Sequence, residues 1–179
     1  QIIPDSKGCL VEEKFPEAVQ AEFFGKLFSN GMFESMSIEE LVGLGEDGIS
    51  YRVPLPNEVF PKAPKNDREF GRFLTRAISL VRTIQKVHQE KYCFGLLGSQ
   101  RFLVNKNGKL IILGLGLLQK KYSKDDLDWF EEKDFYFLAP EFSKRSNKRP
   151  DSRSDFYGLG VLLHFWLTGR HFINAVDKQ

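Results

Sequence analysis

The stretch that decides the fold is Ser154-Asp155-Phe156-Tyr157-Gly158-Leu159-Gly160-Val161, which runs on through Leu167-Thr168-Gly169. From Phe156 to Leu167 the chain is hydrophobic all round, and it stops at Thr168-Gly169. A helix with no polar face belongs at the centre of its domain. The segment therefore predicts a buried helix around which the neighbouring elements pack.

Working back from it, Phe102-Leu103-Val104 and Leu110-Ile111-Ile112-Leu113 flank Asn105-Lys106-Asn107-Gly108, a hairpin signal. Further back, Asn66 is an N-cap candidate and Glu69, three residues on, completes a capping box. Phe70, Phe73, Leu74, Ala77, Ile78, Val81, Ile84 and Val87 then recur as one helical face. Before that helix, four prolines between Pro54 and Pro64 exclude a regular helix or a central strand and divide the chain. The first part reads as mixed. Cys9 to Phe15 is a candidate strand and Glu17 to Ser29 a candidate helix, while Met36 to Leu44 and Ile49 to Val53 form a hairpin around Glu46-Asp47-Gly48.

The composition sets bounds on function. The 179 residues are 41% apolar, with seventeen Phe, which is enough to bury a sizeable core. Lys+Arg 26 against Asp+Glu 24 leaves a formal charge of +2, which argues against a dedicated nucleic-acid binder or an acidic disordered tail. Two cysteines, Cys9 and Cys93, cannot build a disulfide framework and read as ordinary buried thiols. No apolar run reaches about 18 residues, and no signal-peptide pattern opens the chain. A soluble, cytoplasmic protein is expected, and an opening Gln1 in place of Met suggests a processed product or a piece of a longer chain.

The order of these elements resembles the larger lobe of a protein kinase. The residues that carry the resemblance are Val87-His88 at the end of the long helix, then Gly114-Leu115-Gly116 where the family has Asp-Phe-Gly, then Ala139-Pro140-Glu141, and finally the Ser154–Val161 block with Leu167-Thr168-Gly169. Each is weak alone; their order and intervals are the signal. The resemblance covers residues 66–172 well and 9–60 loosely. It implies an α+β, protein-kinase-like two-lobed fold: a reduced, mixed β/α N-lobe over 1–56, a hinge over 57–65, and a mainly helical C-lobe over 66–179 that is truncated after the central buried helix. It further implies that Asp155 holds the catalytic-loop backbone from below, and that Phe94 and Leu115 keep the apolar places of the family's internal hydrophobic column. Glu141 would lack the Arg it pairs with in kinases.

Phosphoryl transfer needs an Asp to accept the substrate proton, and an Asn and a second Asp to hold magnesium. On the family's spacing these three positions carry Leu96, Arg101 and Gly114. No shift of register repairs the loss. From Lys91 to Lys124 the chain has no Asp or Glu, while Lys91, Arg101, Lys106, Lys109, Lys120, Lys121 and Lys124 make it formally +7. Magnesium prefers carboxylate oxygens, so an acid would have to come from elsewhere in the chain. At the nucleotide end, Lys14 could be the phosphate-contacting Lys, with Glu22 or Glu17 as its helix partner, but no glycine-rich loop precedes it.

The expected function is that of a catalytically inactive kinase-like domain, a pseudokinase, serving as a signalling scaffold or interaction module. Its partner would be a protein or other domains of a longer parent chain, and no cofactor or metal is expected. The alternative is an atypical serine/threonine kinase that keeps ATP binding and uses an acid such as Asp125 or Asp134. A third reading is a basic surface for nucleic acid or anionic lipid, drawn from Lys144, Arg145, Lys148, Arg149 and Arg153. Arg101, Lys120 and Lys121 are candidate anion or partner contacts, and Trp129 is a candidate docking anchor in an acidic segment. His88 reads as a packing or capping residue. His164 and His171 have no metal-ligand spacing.

Overall fold

The computed structural model describes residues 1–14, 24, 34, 36–45, 48–59, 62–119, 130, 132–143 and 150–172. It is mixed α+β, with two antiparallel sheets and two α-helices among these residues. The helix expected over Glu17–Ser29 lies outside them, as do Glu22, Lys120, Lys121, Asp125, Trp129 and the basic residues 144–149.

Two compact units are present: residues 1–61 with 100–117, and residues 62–99 with 118–179. The hairpin at 102–112, assigned from the sequence to the part after the prolines, belongs to the first unit. Strand pairing is the reason, because the short strand at Pro56 bonds to Phe102–Asn105.

In the first unit, β1 (Ile2–Asp5), β2 (Gly8–Lys14), β3 (Glu40–Leu44) and β4 (Gly48–Val53) form a sheet in the order β1-β2-β4-β3. The first strand of the second hairpin thus starts at Glu40, later than the Met36 expected from the sequence, because Ser37 takes a positive φ of 59° that breaks extended backbone. Alternation decides what faces the core. Cys9 and Val11 on β2 and Ile49, Tyr51 and Val53 on β4 are buried, and their sequence neighbours point the other way. The second sheet orders β5 (Pro56–Glu58), β6 (Phe102–Asn105) and β7 (Leu110–Ile112). Pro56 sits in its edge strand, where a missing N–H does no harm. The β6–β7 turn is built by Asn105, whose Oδ1 accepts from the N–H groups of Asn107 and Lys109 at 2.9 and 3.0 Å.

In the second unit, α1 (Asp67–Gln89) and α2 (Ser152–Thr168) pack together. Asn66 caps α1, accepting from Glu69 N at 3.0 Å. The capping box stays incomplete: the Glu69 carboxylate takes the Lys65 N–H at 2.8 Å instead of that of Asn66. The apolar face read as one stripe divides in two. Phe73, Ala77, Leu80, Ile84 and Val87 are buried, whereas Phe70, Leu74 and Ile78 are exposed. Each fully buried Leu or Ile contributes roughly 1.5–3 kcal/mol over an exposed one, so the Leu80–Ile84–Val87 ridge is what anchors the helix.

Helix α2 begins at a complete capping box between Asp151 and Ser154 and ends at Gly169, whose φ of 69° is the left-handed turn that glycine supplies. It is not buried all round as its sequence predicts. Ser154, Asp155, Gly158, Leu159, Val161, Leu162 and Trp166 are buried, while Phe156, Gly160 and Leu167 are exposed. An all-apolar helix needs neighbours on every side, and on this side of α2 the His88 ring against Phe156 still leaves that phenylalanine 51% exposed.

Candidate functional site

The sequence singles out two loops, and each is fastened by a carboxylate within its own unit. In the first unit the carboxylate is that of Glu13. Strand β2 turns Cys9, Val11 and Glu13 to one face and Leu10, Glu12 and Lys14 to the other, and Lys14 is exposed. Lys14 is therefore not the residue that faces this loop; the inward position next to it carries the opposite charge. Glu13 Oε1 accepts from the Tyr51 hydroxyl at 2.6 Å and from the backbone N–H of Gly114 at 2.7 Å. Tyr51 stands opposite Val11 in the ladder, so Glu13 is its diagonal neighbour, within reach of a long side chain.

Gly114 adopts a φ of +87°, a conformation that disfavours any residue with a Cβ. Space forbids one as well. A Cβ there would overlap Nη1 of Arg101 and stand 2.9 Å from its guanidinium carbon. Arg101 Nη1 also donates to Gly114 O at 3.4 Å, and Leu113 N donates to Arg101 O at 2.8 Å. The cation thus fills the place where a side chain at 114 would project.

Tyr51 titrates well above the usual tyrosine range. Burial is the main cause, and the Glu13 charge and the hydrogen bond to it add to the effect; Arg101 and the Gly114 region oppose it. The phenol stays protonated and donates. The turn Leu115–Leu117 then packs on β2 and β4, with Leu115 fully buried.

In the second unit the carboxylate is that of Asp155, in the first turn of α2. Its side chain is fully buried and accepts from Phe94 N at 2.8 Å and Gly95 N at 2.7 Å. His88 Nε2 lies 2.7 Å from Asp155 Oδ2, and its ring meets Phe156 edge-on at 5.2 Å. So His88, read as a packing or capping residue, is a partner of Asp155. Phe94, Leu96 and Leu97, which flank Gly95 in sequence, are buried, and Leu96 has neither a titratable group nor solvent access.

Cys93 bridges to Gln119 through paired backbone bonds of 2.7 and 3.0 Å. Burial, then the charges of Asp155 and Asp151, push its thiol up to about 12. Cys9 is also raised, chiefly by burial. Glu141 receives the Ser154 hydroxyl at 3.1 Å, so it has a partner at the start of α2. Asp134 is buried.

The sequence reading missed Glu13 and Tyr51. The period-two alternation from Cys9 through Val11 was the signal that could have turned attention from Lys14 to Glu13. No family model matches this chain, and no curated protein matches it.

Proposed function

We propose that the chain is a catalytically inactive, protein-kinase-like module, two-lobed in the sense of that family, which acts through interaction and regulation and not through phosphoryl transfer. The observation that carries the reading is the side chain of Arg101 lying where a metal-binding side chain at position 114 would have to be. Magnesium binding by the family's route needs two ligands, one at each of these positions. Here one position is a glycine held in a conformation suited to glycine, and the other is the cation that occupies its space. A guanidinium in that position repels a divalent ion.

The acid that could come from elsewhere in the chain does come: Glu13 reaches Gly114. Yet the same Glu13 oxygen accepts both a backbone N–H and a phenol. Those bonds hold the loop against the sheet. The second support is Asp155, which keeps its bonds to the Phe94–Gly95 backbone although the residue after them, Leu96, cannot act as a base. Loop architecture is retained where the chemistry it would present is missing.

The test is calorimetric titration of the intact chain with ATP, with and without magnesium, followed by a phosphotransfer assay on a generic protein substrate. The expected result is no magnesium-dependent affinity and no turnover. Magnesium-dependent binding accompanied by turnover overturns the reading.

A further inference from the structure

The end of α2 is tied down by aromatic rings. After Thr168 the chain turns at Gly169, and Arg170, His171 and Phe172 run back over the helix they have just left. His171 stacks on Phe165 at 4.4 Å and 19°, and on Tyr136 at 4.2 Å and 24°. One face of an imidazole has room for a single ring at such a distance, so the two rings cover opposite faces. Phe137 meets the imidazole edge-on at 5.4 Å, and Phe172 meets His164 in the same manner at 5.3 Å. Thr168 secures the turn: its Oγ1 accepts from Arg170 N at 3.1 Å and donates to His164 O at 2.8 Å. The segment after α2 is therefore fastened both to that helix and to the short helical turn Glu132–Tyr136.

The fastening suits a neutral imidazole. An imidazolium carries two N–H donors and a charge, yet the His171 side chain has no hydrogen bond or ion pair with a described residue. Aromatic carbon screens both of its faces from water. The charged groups around it are Lys133 and Asp134 on the turn and Arg170 on its own segment; Tyr136 and His164 are the other titratable neighbours. None of these moves its titration, and burial alone holds the His171 pKa below the ordinary histidine value of 6.5. His164 adds to the same picture, because its Nδ1 is buried without a hydrogen-bond partner. The rim of His171 remains exposed, so a proton has access to it.

We propose that residues 169–172 are a proton-operated latch. With His171 neutral the latch is closed across Tyr136 and Phe165; a proton on His171 opens it, baring both rings and releasing the end of α2. The sign follows from the lowered value: the closed form is fully favoured above pH 6.5 and is lost as the pH falls through the closed-state pKa. The latch lies wholly within the second unit and does not depend on the inactive reading of the loops.

The experiment is an NMR titration of the intact chain between about pH 7.5 and about pH 5, followed at the Cε1–H of His171. His171→Gln assigns the resonance, and the chain unfolded in urea is the reference. At neutral pH the proton should be shifted upfield by the two stacked rings. Its titration midpoint should lie below that in urea, and the upfield shift should vanish across the same midpoint. Amide exchange at Arg170, corrected for its intrinsic pH dependence, should rise at least about threefold over that range. His171→Phe keeps a flat ring that takes no proton, and it should abolish the rise. Circular dichroism should show both helices intact throughout. The proposal is overturned if the upfield shift is absent at neutral pH, or if the imidazole titrates at or above its urea midpoint. It is equally overturned if the shift survives protonation, as cation–π attraction to Tyr136 and Phe165 would have it. Opening of His171→Phe like the native chain, or loss of helix over the same range, refutes it as well.

Discussion

Replacing Asp155 by Ala should be the most damaging single change in the second unit. The carboxylate is fully buried and serves three partners: Phe94 N–H, Gly95 N–H and His88. A hydrogen bond to a charged group contributes about 1.5–3 kcal/mol, and a buried donor left without an acceptor costs about 1–3 kcal/mol. Phe94 and Gly95 are both buried, so water cannot readily replace the lost oxygens. Two orphaned backbone donors together give a loss of roughly 3–5 kcal/mol, set against a whole-domain stability of about 5–15 kcal/mol. With a urea slope of about 2 kcal/mol/M, the midpoint should fall by roughly 2 M. His88→Ala breaks one of the three contacts and leaves both backbone donors satisfied, so it should cost only about 1 kcal/mol. The assay is urea unfolding of the intact chain followed by tryptophan fluorescence, since Trp166 is buried in the same unit. If Asp155→Ala shifts the midpoint by less than about 0.5 M, or if His88→Ala matches it, the backbone bonds are not what Asp155 contributes.

Two further outcomes follow from titrating groups. Tyr51 has a folded-state pKa raised above its ordinary value of 10 by burial and by Glu13, so the stability it contributes is complete below pH 10 and is lost as pH rises toward the folded value. The urea midpoint of the chain should fall as the pH is raised above 10, and Tyr51→Phe should make that fall shallower while lowering the midpoint by the equivalent of about 1 kcal/mol at neutral pH; an unchanged alkaline slope would refute the assignment. Cys93, with its thiol pushed up to about 12, and the buried Cys9 should both resist a thiol-specific disulfide reagent at pH 8 in the native chain and react in full once it is unfolded in urea. Native reaction of either at the unfolded rate would contradict the burial.

Much of the fold was legible because it rests on local rules. Asn66 caps its helix, Asn105 makes its turn and Gly169 ends α2, each through a side chain or a backbone freedom written in the residue itself. Asp155 was legible from motif order, and it does hold the Phe94–Gly95 backbone. Tertiary arrangement was not. Helical periodicity shows that Phe70 through Val87 share an apolar side, but not that only the half running through Phe73, Leu80 and Ile84 is buried. The same gap left α2 read as buried on every side. Lys14 was chosen because an ammonium is the expected phosphate ligand; strand parity, a one-residue matter, puts Glu13 and not Lys14 on the side of the Gly114 loop.

The run from Lys91 to Lys124 without an acid acquires a sharper meaning once Glu13 is placed. Glu13 crosses 101 residues of sequence to reach Gly114, and Asp155 crosses 61 to reach Phe94. Each unit thus brings one carboxylate from outside the run to a loop within it, and each carboxylate binds backbone N–H groups. A carboxylate that serves as base or metal ligand needs lone pairs turned to a substrate or an ion. Those of Asp155 are turned inward, with no solvent access, and the Glu13 oxygen nearest its loop accepts both a main-chain donor and a protonated phenol. Acids arranged in this way set the shape of loops. On the inactive reading proposed above, with Leu96, Arg101 and Gly114 at the positions beside them, shape is what those loops would offer a partner.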